Sequence, residues 1–187
     1  YETRFFGHIE GELGGNYQEK NANTILTAAM HLYNKGVIKN TESIEKGFAN
    51  VCEMTGFMGR WQIIQKQPLV ICDTGHNAGG WKYLSQQIKH TPCKQRRIVF
   101  GMVDDKDLHS VMGMLPDDAV YYWTQPSTHR AFPVHKVSET ADTYNLQGKQ
   151  YPTVMEAYRA ALADADKDDF IFVGGSSYVV ADLLSGI

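Results

Sequence analysis

No apolar run in this sequence approaches the roughly 20 residues that a membrane-spanning helix needs, so a role across a bilayer is not expected. Positive charge is not in excess either. Eighteen Lys and Arg against 21 Asp and Glu leave a formal net charge of -3, without the basic footprint that nucleic acid or an anionic membrane would call for. Cysteine is scarce: Cys52, Cys72 and Cys93 are an odd number with no C-x-x-C between them. A disulfide framework is thereby disfavoured, and buried, reduced thiols in a cytosolic protein are expected. No signal peptide is expected from the opening "YETRFFGHIEGELGG", which is polar and glycine-rich, and no repeat or low-complexity tract follows. The chain begins at Tyr1 and not at methionine, as if its beginning had been removed.

Several familiar site patterns are missing as well. Gly75-x-x-x-x-Gly80 is followed by Trp81 and Lys82, so the lysine-hydroxyl pair of a P-loop is absent. No G-x-G-x-x-G follows a strand, which weakens a nicotinamide dehydrogenase. "GGSS" lacks the second glycine of a nucleophile elbow. His8, His31, His90, His109, His129 and His135 show no zinc-type pairing with the cysteines and read as solvated.

What remains is a globular composition, 187 residues with 43% hydrophobic and 21% charged, and a clear alternation. "NYQEKNANTILTAAMHLYNKG" reads as a helix with Ile25, Leu26, Ala29 and Leu32 at helical spacing and Gly36 as the stop. "TESIEKGFANVCEM" reads as a second, with Thr41 as N-cap and Ile44, Phe48 and Val51 on one face. "WQIIQ" and "PLVICD" read as strands joined by a turn through Lys66 and Gln67. Thereafter helix and strand alternate through "RRIVFGMV", "AVYYWTQ", "KQY" and "DFIFVGG" to a closing helix in "SSYVVADLLSGI". The pattern predicts an α/β fold, a mostly parallel Rossmann-like sheet with helices on both faces. Two leading helices stand outside it, with a boundary between residues 37 and 38.

In such sheets ligands bind outside the carboxyl ends of the strands, and four polar stretches fall there: "DTGHN", "GMVDDKD", "TQPSTHR" and "VGGSS". In "DTGHN", Asn77 can cap the next helix and Gly75 permits a tight turn. Capping alone does not require both Asp73 and His76. An Asp at a strand end can accept bonds from ribose hydroxyls, and the helix N-terminus behind it favours phosphate. Arg60 in "GFMGRW" is either a solvated turn residue or a phosphate or ring contact. "GMVDDKD" reads either as a site loop or as a plain strand-to-helix loop capped by Asp105 or Asp107.

Together, "MGRW", "DTGHNAGG", "GMVDDKD" and "VGGSSY" resemble, in order and spacing, the carboxy-terminal signatures of the folylpolyglutamate synthase / dihydrofolate synthase family of the Mur ligase superfamily. That family writes them as P-G-R-[WFL], D-x-A-H-N-P, G-M-x-x-D-K-D and [TC]-G-S. Here Met58, Gly75 and Ala78 stand where Pro, Ala and Pro are usual. "YQEKNANTILTAAMHL" resembles the family's last helix of the central ATPase domain. The resemblance implies residues 1–37 as the tail of that domain and 38–187 as a Mur ligase-like C-terminal domain. It implies an ATP-dependent ligase that activates a folate or dihydropteroate carboxylate as an acyl phosphate and joins it to L-glutamate. Asn21 would lie near the adenine, Arg60 would contact ATP, and Asp73 would meet the ribose or phosphate side. His76 would lie near the phosphates and incoming glutamate, and Ser176 would help place that glutamate. The P-loop and the Mg2+ ligands belong to the central domain, so this chain is expected to be a truncated piece without turnover of its own, cytoplasmic and monomeric. Another Mur-type amide ligase, a Rossmann-like or flavodoxin-like nucleotide module, and an interaction module with a degenerate site are the competing readings.

Overall fold

The computed structural model describes residues 1–104 and 107–187, and the chain divides into two compact units, residues 1–58 and 59–187.

The first unit opens with a small antiparallel hairpin, β1 (Glu2–Thr3) and β2 (Gly7–His8), which the sequence pattern did not announce because two-residue strands carry no periodicity. Three helices follow: α1 (Gln18–Asn34), α2 (Glu42–Ala49) and α3 (Val51–Thr55). In α1 the buried stripe is Ala22 and Leu26, while Ile25 and Leu32, expected inward, are 53% and 42% exposed. Gly36 ends the helix region in a left-handed conformation, φ 72°, as expected of a stop glycine. Thr41 precedes α2 without a side-chain cap; the cap comes from Asn40, whose Oδ1 accepts from Ser43 N at 2.9 Å. The single helix expected over 41–54 breaks at Asn50, φ -132° and ψ 27°, into α2 and α3. Ile9, Leu26 and Ile44 are buried together, with Phe48 and Ile38 packed against them. That packing joins α2 to α1, so the compact unit runs on to Met58, past the boundary read at 37–38.

The second unit carries β3 (Gln62–Lys66), β4 (Leu69–Asp73), α4 (Ala78–His90), β5 (Arg96–Phe100), α5 (Leu108–Met112), β6 (Ala119–Trp123), α6 (Val134–Asp142), β7 (Gly148–Gln150), α7 (Val154–Ala163), β8 (Phe170–Gly174) and α8 (Ser177–Gly186). They form a six-stranded sheet in the order β3-β4-β8-β5-β6-β7. Only β3 is antiparallel, paired with β4; the other strands run parallel. Right-handed crossovers put α4, α5 and α6 on one face, and α7 and α8, which touch each other, on the opposite one.

The apolar strands bury both faces. Val70, Cys72, Val99, Ile171 and Val173 pack under Val154, Ala157, Ala161, Val179 and Leu183 of α7 and α8. On the opposite face aromatic rings meet edge to face: Trp81 of α4 lies 5.6 Å from Phe100 and 5.8 Å from Phe172, and Phe100 lies 6.0 Å from Trp123. All four are fully buried, and removing one such ring costs about 3–5 kcal/mol. At the amino-terminal edge, Asp169 accepts from Gln95 N and Asp166 N and pairs with Arg97 at 3.0 Å. A buried carboxylate is thereby fully partnered, and the opposite edge is left to carry the polar loops.

Candidate functional site

β4 and β8 are parallel neighbours with Asp73 opposite Gly174. The loop after β4 and the loop after β8 therefore leave the sheet side by side at its carboxyl edge, as expected.

Asp73 closes β4 and is fully buried. Its Oδ2 accepts from Trp61 N at 2.7 Å and its Oδ1 from Gly75 N at 2.7 Å. This carboxylate, expected on the nucleotide side, thus accepts from two backbone donors. One of them belongs to an unusual turn. Gly59 (φ 79°) and Trp61 (φ 48°) both have left-handed backbones, and for a bulky residue such as Trp that conformation is costly. The turn is held by Asp73, by Thr74 N donating to Gly59 O at 2.9 Å, and by Gly59 N donating to Gln62 Oε1 at 2.8 Å. The Trp61 ring lies 6.1 Å from Phe172. So anchored, the turn carries Arg60, half-buried, whose Nη1 donates to the hydroxyl of Thr74.

His76 is half-buried, whereas the other six histidines are exposed as expected. Its Nδ1 lies 3.0 Å from Thr74 O. A carbonyl can only accept, so Nδ1 carries the proton and Nε2 is the nitrogen left for a ligand. Asn77 caps α4, accepting from Gly80 N at 2.9 Å, and Trp81 Nε1 donates to Gly75 O at 3.2 Å, tying the loop to the helix behind it. Ser176 is 1% exposed. Its Oγ accepts from Tyr178 N at 3.1 Å as the cap of α8. Gly175 before it, φ 101°, has no room for a Cβ, which would fall 2.4 Å from Gly101 O.

Arg60, Asp73 and His76 are thus joined through one short stretch of loop, and Ser176 sits on the adjacent strand end. Exposure separates them: Arg60 and His76 are half-buried, while Asp73 and Ser176 are enclosed. Asn21 belongs to the first unit, on the exposed face of α1, with its Nδ2 donating to Gln18 Oε1 at 3.0 Å. Two residues that sequence reasoning missed, Trp61 and Thr74, make the connections. A non-glycine residue with positive φ and a hydroxyl at an unconstrained position leave no signal in a linear pattern.

The remaining loops at this edge are tied to each other. Asp104 N donates to Arg130 O at 2.9 Å and Phe132 N to Met102 O at 2.9 Å, so the loop after β5 laps against the loop after β6. Ser127 N donates to Asp182 Oδ2 of α8 at 2.7 Å. Of the two caps expected in "GMVDDKD", Asp107 caps α5, accepting from Ser110 N at 3.0 Å. Those bonds to Ser110 hold its carboxyl below the usual carboxylate range. Asp105 and Lys106 lie outside the described residues. Among the described residues no three carboxylate, imidazole or thiol groups cluster as a metal ion would require.

The edge thus presents a guanidinium, an imidazole with its Nε2 available and the N-terminus of the 13-residue helix α4, features that suit an anionic ligand. Residues 59–177 match the family model of the Mur ligase glutamate ligase domain. The dihydrofolate synthase/folylpolyglutamate synthase of Escherichia coli (strain K12) is 30% identical over 170 residues, 90% of this chain, and the chain spans 38% of that relative's length. An E. coli FolC structure in complex with DHPP and ADP superposes with a TM-score of 0.73 at 29% identity, covering 89% of this chain and 38% of that one. A bifunctional folylpolyglutamate synthase/dihydrofolate synthase bound to Mn, AMPPNP and L-glutamate superposes at 0.66 with 28% identity, covering 79% of this chain and 34% of that one.

Proposed function

The chain belongs to the Mur ligase family through its glutamate ligase domain, and from that premise we propose that it is the C-terminal part of an ATP-dependent ligase that joins L-glutamate to folate or dihydropteroate. The observation that carries this reading is the end of β4, where Thr74 holds both the Arg60 guanidinium and the His76 ring. Residues 1–37 are proposed as the tail of a central ATPase domain and 38–187 as the C-terminal domain.

The chemistry asks little more of these residues than their types supply. A phosphoryl group passes from ATP to the folate carboxylate, and the acyl phosphate is then attacked by the glutamate amine with loss of inorganic phosphate. Arg60 offsets charge on the transferring phosphoryl group, where orientation and electrostatics supply most of the rate. The attacking amine must first lose a proton. His76, its Nδ1 committed to Thr74 O, offers Nε2 as acceptor when neutral and as a donor to phosphate once charged. Asn21 is proposed near the adenine and Ser176 near the glutamate. Asp73 is proposed on the nucleotide side, acting through the turn it anchors, since both its oxygens already accept backbone hydrogen bonds. Mg2+ is the expected divalent ion, held by residues of the ATPase domain. The enzyme is proposed to be a cytoplasmic monomer, in keeping with free thiols at Cys52, Cys72 and Cys93 and with no described helix long and apolar enough to cross a membrane.

The test is ADP release by the full-length enzyme containing this sequence, given dihydropteroate or tetrahydrofolate in turn, each with ATP and L-glutamate. Release that needs both a pterin substrate and glutamate is expected, and the preferred pterin separates the two activities. The chain alone should release none. Release indifferent to glutamate, or sustained by the chain alone, contradicts the proposal.

A further inference from the structure

The family pattern D-x-A-H-N-P leaves its second position open, and this chain fills it with threonine. In the folded protein Thr74 is the residue that the site is strung on. Its N–H donates to Gly59 O at 2.9 Å, its hydroxyl accepts from Arg60 Nη1, and its carbonyl accepts from His76 Nδ1 at 3.0 Å. Its methyl Cγ2 lies where a Cβ on Gly59 would come within 2.7 Å, so the side chain is fitted against the turn as well as bonded to it. A threonine is stiff about χ1; with the methyl seated, the hydroxyl has little choice of direction. We propose that Thr74 is a positioning residue, holding the Arg60 guanidinium through its hydroxyl and the His76 imidazole through its carbonyl, so that the two face the reacting groups as one unit.

The inference rests on the reading of Arg60 as a nucleotide contact. The hydroxyl governs one of the two side chains: Thr74→Val keeps the branched shape and the backbone carbonyl, and with them His76, but removes the hydroxyl that accepts from Arg60 Nη1. A guanidinium released from a fixed partner must be ordered again on binding, and a lost hydrogen bond to a charged group weakens binding about tenfold or more.

The experiment measures the Michaelis constants and kcat of the full-length enzyme containing this sequence in four forms: unaltered, Thr74→Val, Thr74→Ser and Arg60→Ala. Thr74→Val is expected to raise KM for ATP about tenfold with KM for the pterin substrate unchanged, and Thr74→Ser to restore it. A residue that only stabilises the fold would move both constants, or neither. Combining Thr74→Val with Arg60→Ala should add nothing to Arg60→Ala, because both act through one guanidinium. Should Thr74→Val fail to fold, Thr74→Ala against Thr74→Ser makes the same comparison. If Arg60→Ala raises KM for ATP and loss of the hydroxyl does not, the positioning role is overturned while the nucleotide reading stands. If Arg60→Ala leaves both kcat and KM for ATP unchanged, both fall.

Discussion

With its two carboxylate oxygens taken by the N–H groups of Trp61 and Gly75, Asp73 anchors the turn at residues 59–62. Asp73→Ala should therefore register first as instability. Each of the two donors left without a partner costs about 1–3 kcal/mol, so roughly 2–6 kcal/mol is expected from urea unfolding of this chain. Asp73→Asn is expected to lose less, since an amide keeps one acceptor while turning an N–H2 towards the other donor. A change in stability within about 0.5 kcal/mol for the alanine variant, the usual range for surface substitutions, would show that the turn does not depend on Asp73. The sequence singles out this residue, with Asn21, Arg60, His76 and Ser176, as a candidate for the site. Its partner could not be read, because Trp61 reaches it through a backbone N–H in a left-handed turn.

Elements were more legible than contacts. The alternation of "PLVICD", "RRIVF" and "FIFVGG" with helical stretches predicts the parallel sheet because strands buried on both faces must be apolar throughout. The break at Asn50 and the outward Ile25 were not legible, since helical spacing alone does not say which side the rest of the unit covers. One departure from the family pattern has an element-scale cause. Gly75 stands where alanine is usual, and a Cβ there would come within 2.1 Å of Leu84 Cδ1 on α4. Leu84 is fully buried, so Gly75→Ala is expected to destabilise by about 1–3 kcal/mol through overpacking. Combined with Leu84→Val it should cost less than the two changes summed; strict additivity in thermal unfolding would show that the methyl finds room elsewhere. Likewise Asp182→Ala should release the loop after β6 from α8, seen as faster amide exchange at Ser127, whose N–H it accepts at 2.7 Å.

For the molecule as a whole, alkaline pH is the condition that should unfold it. Burial pushes the Cys72 thiol from its ordinary 9 up to about 12, with the neighbouring Asp73 adding to the shift. Burial, with a hydrogen bond to Asp164, pushes Tyr122 from 10 up to about 12. Both are acids whose folded values are raised, so between the ordinary and raised values the unfolded chain binds fewer protons than the folded one. Their contribution is complete below about pH 9 and is lost as pH rises towards about 12. The urea midpoint should fall from pH 9 to 11, and fall less steeply in Cys72→Ala; a flat midpoint across that range contradicts the assignment. The central claim, that the end of β4 serves amide formation, is tested most directly by separating the two half-reactions in His76→Ala of the full-length enzyme. Acyl phosphate is trapped with hydroxylamine, and glutamate-dependent amide is measured in parallel. Amide formation is expected to fall about 10²- to 10⁴-fold, the range of a lost general base, while hydroxamate formation falls far less. Equal rates in both half-reactions for the variant and the unaltered enzyme would contradict it.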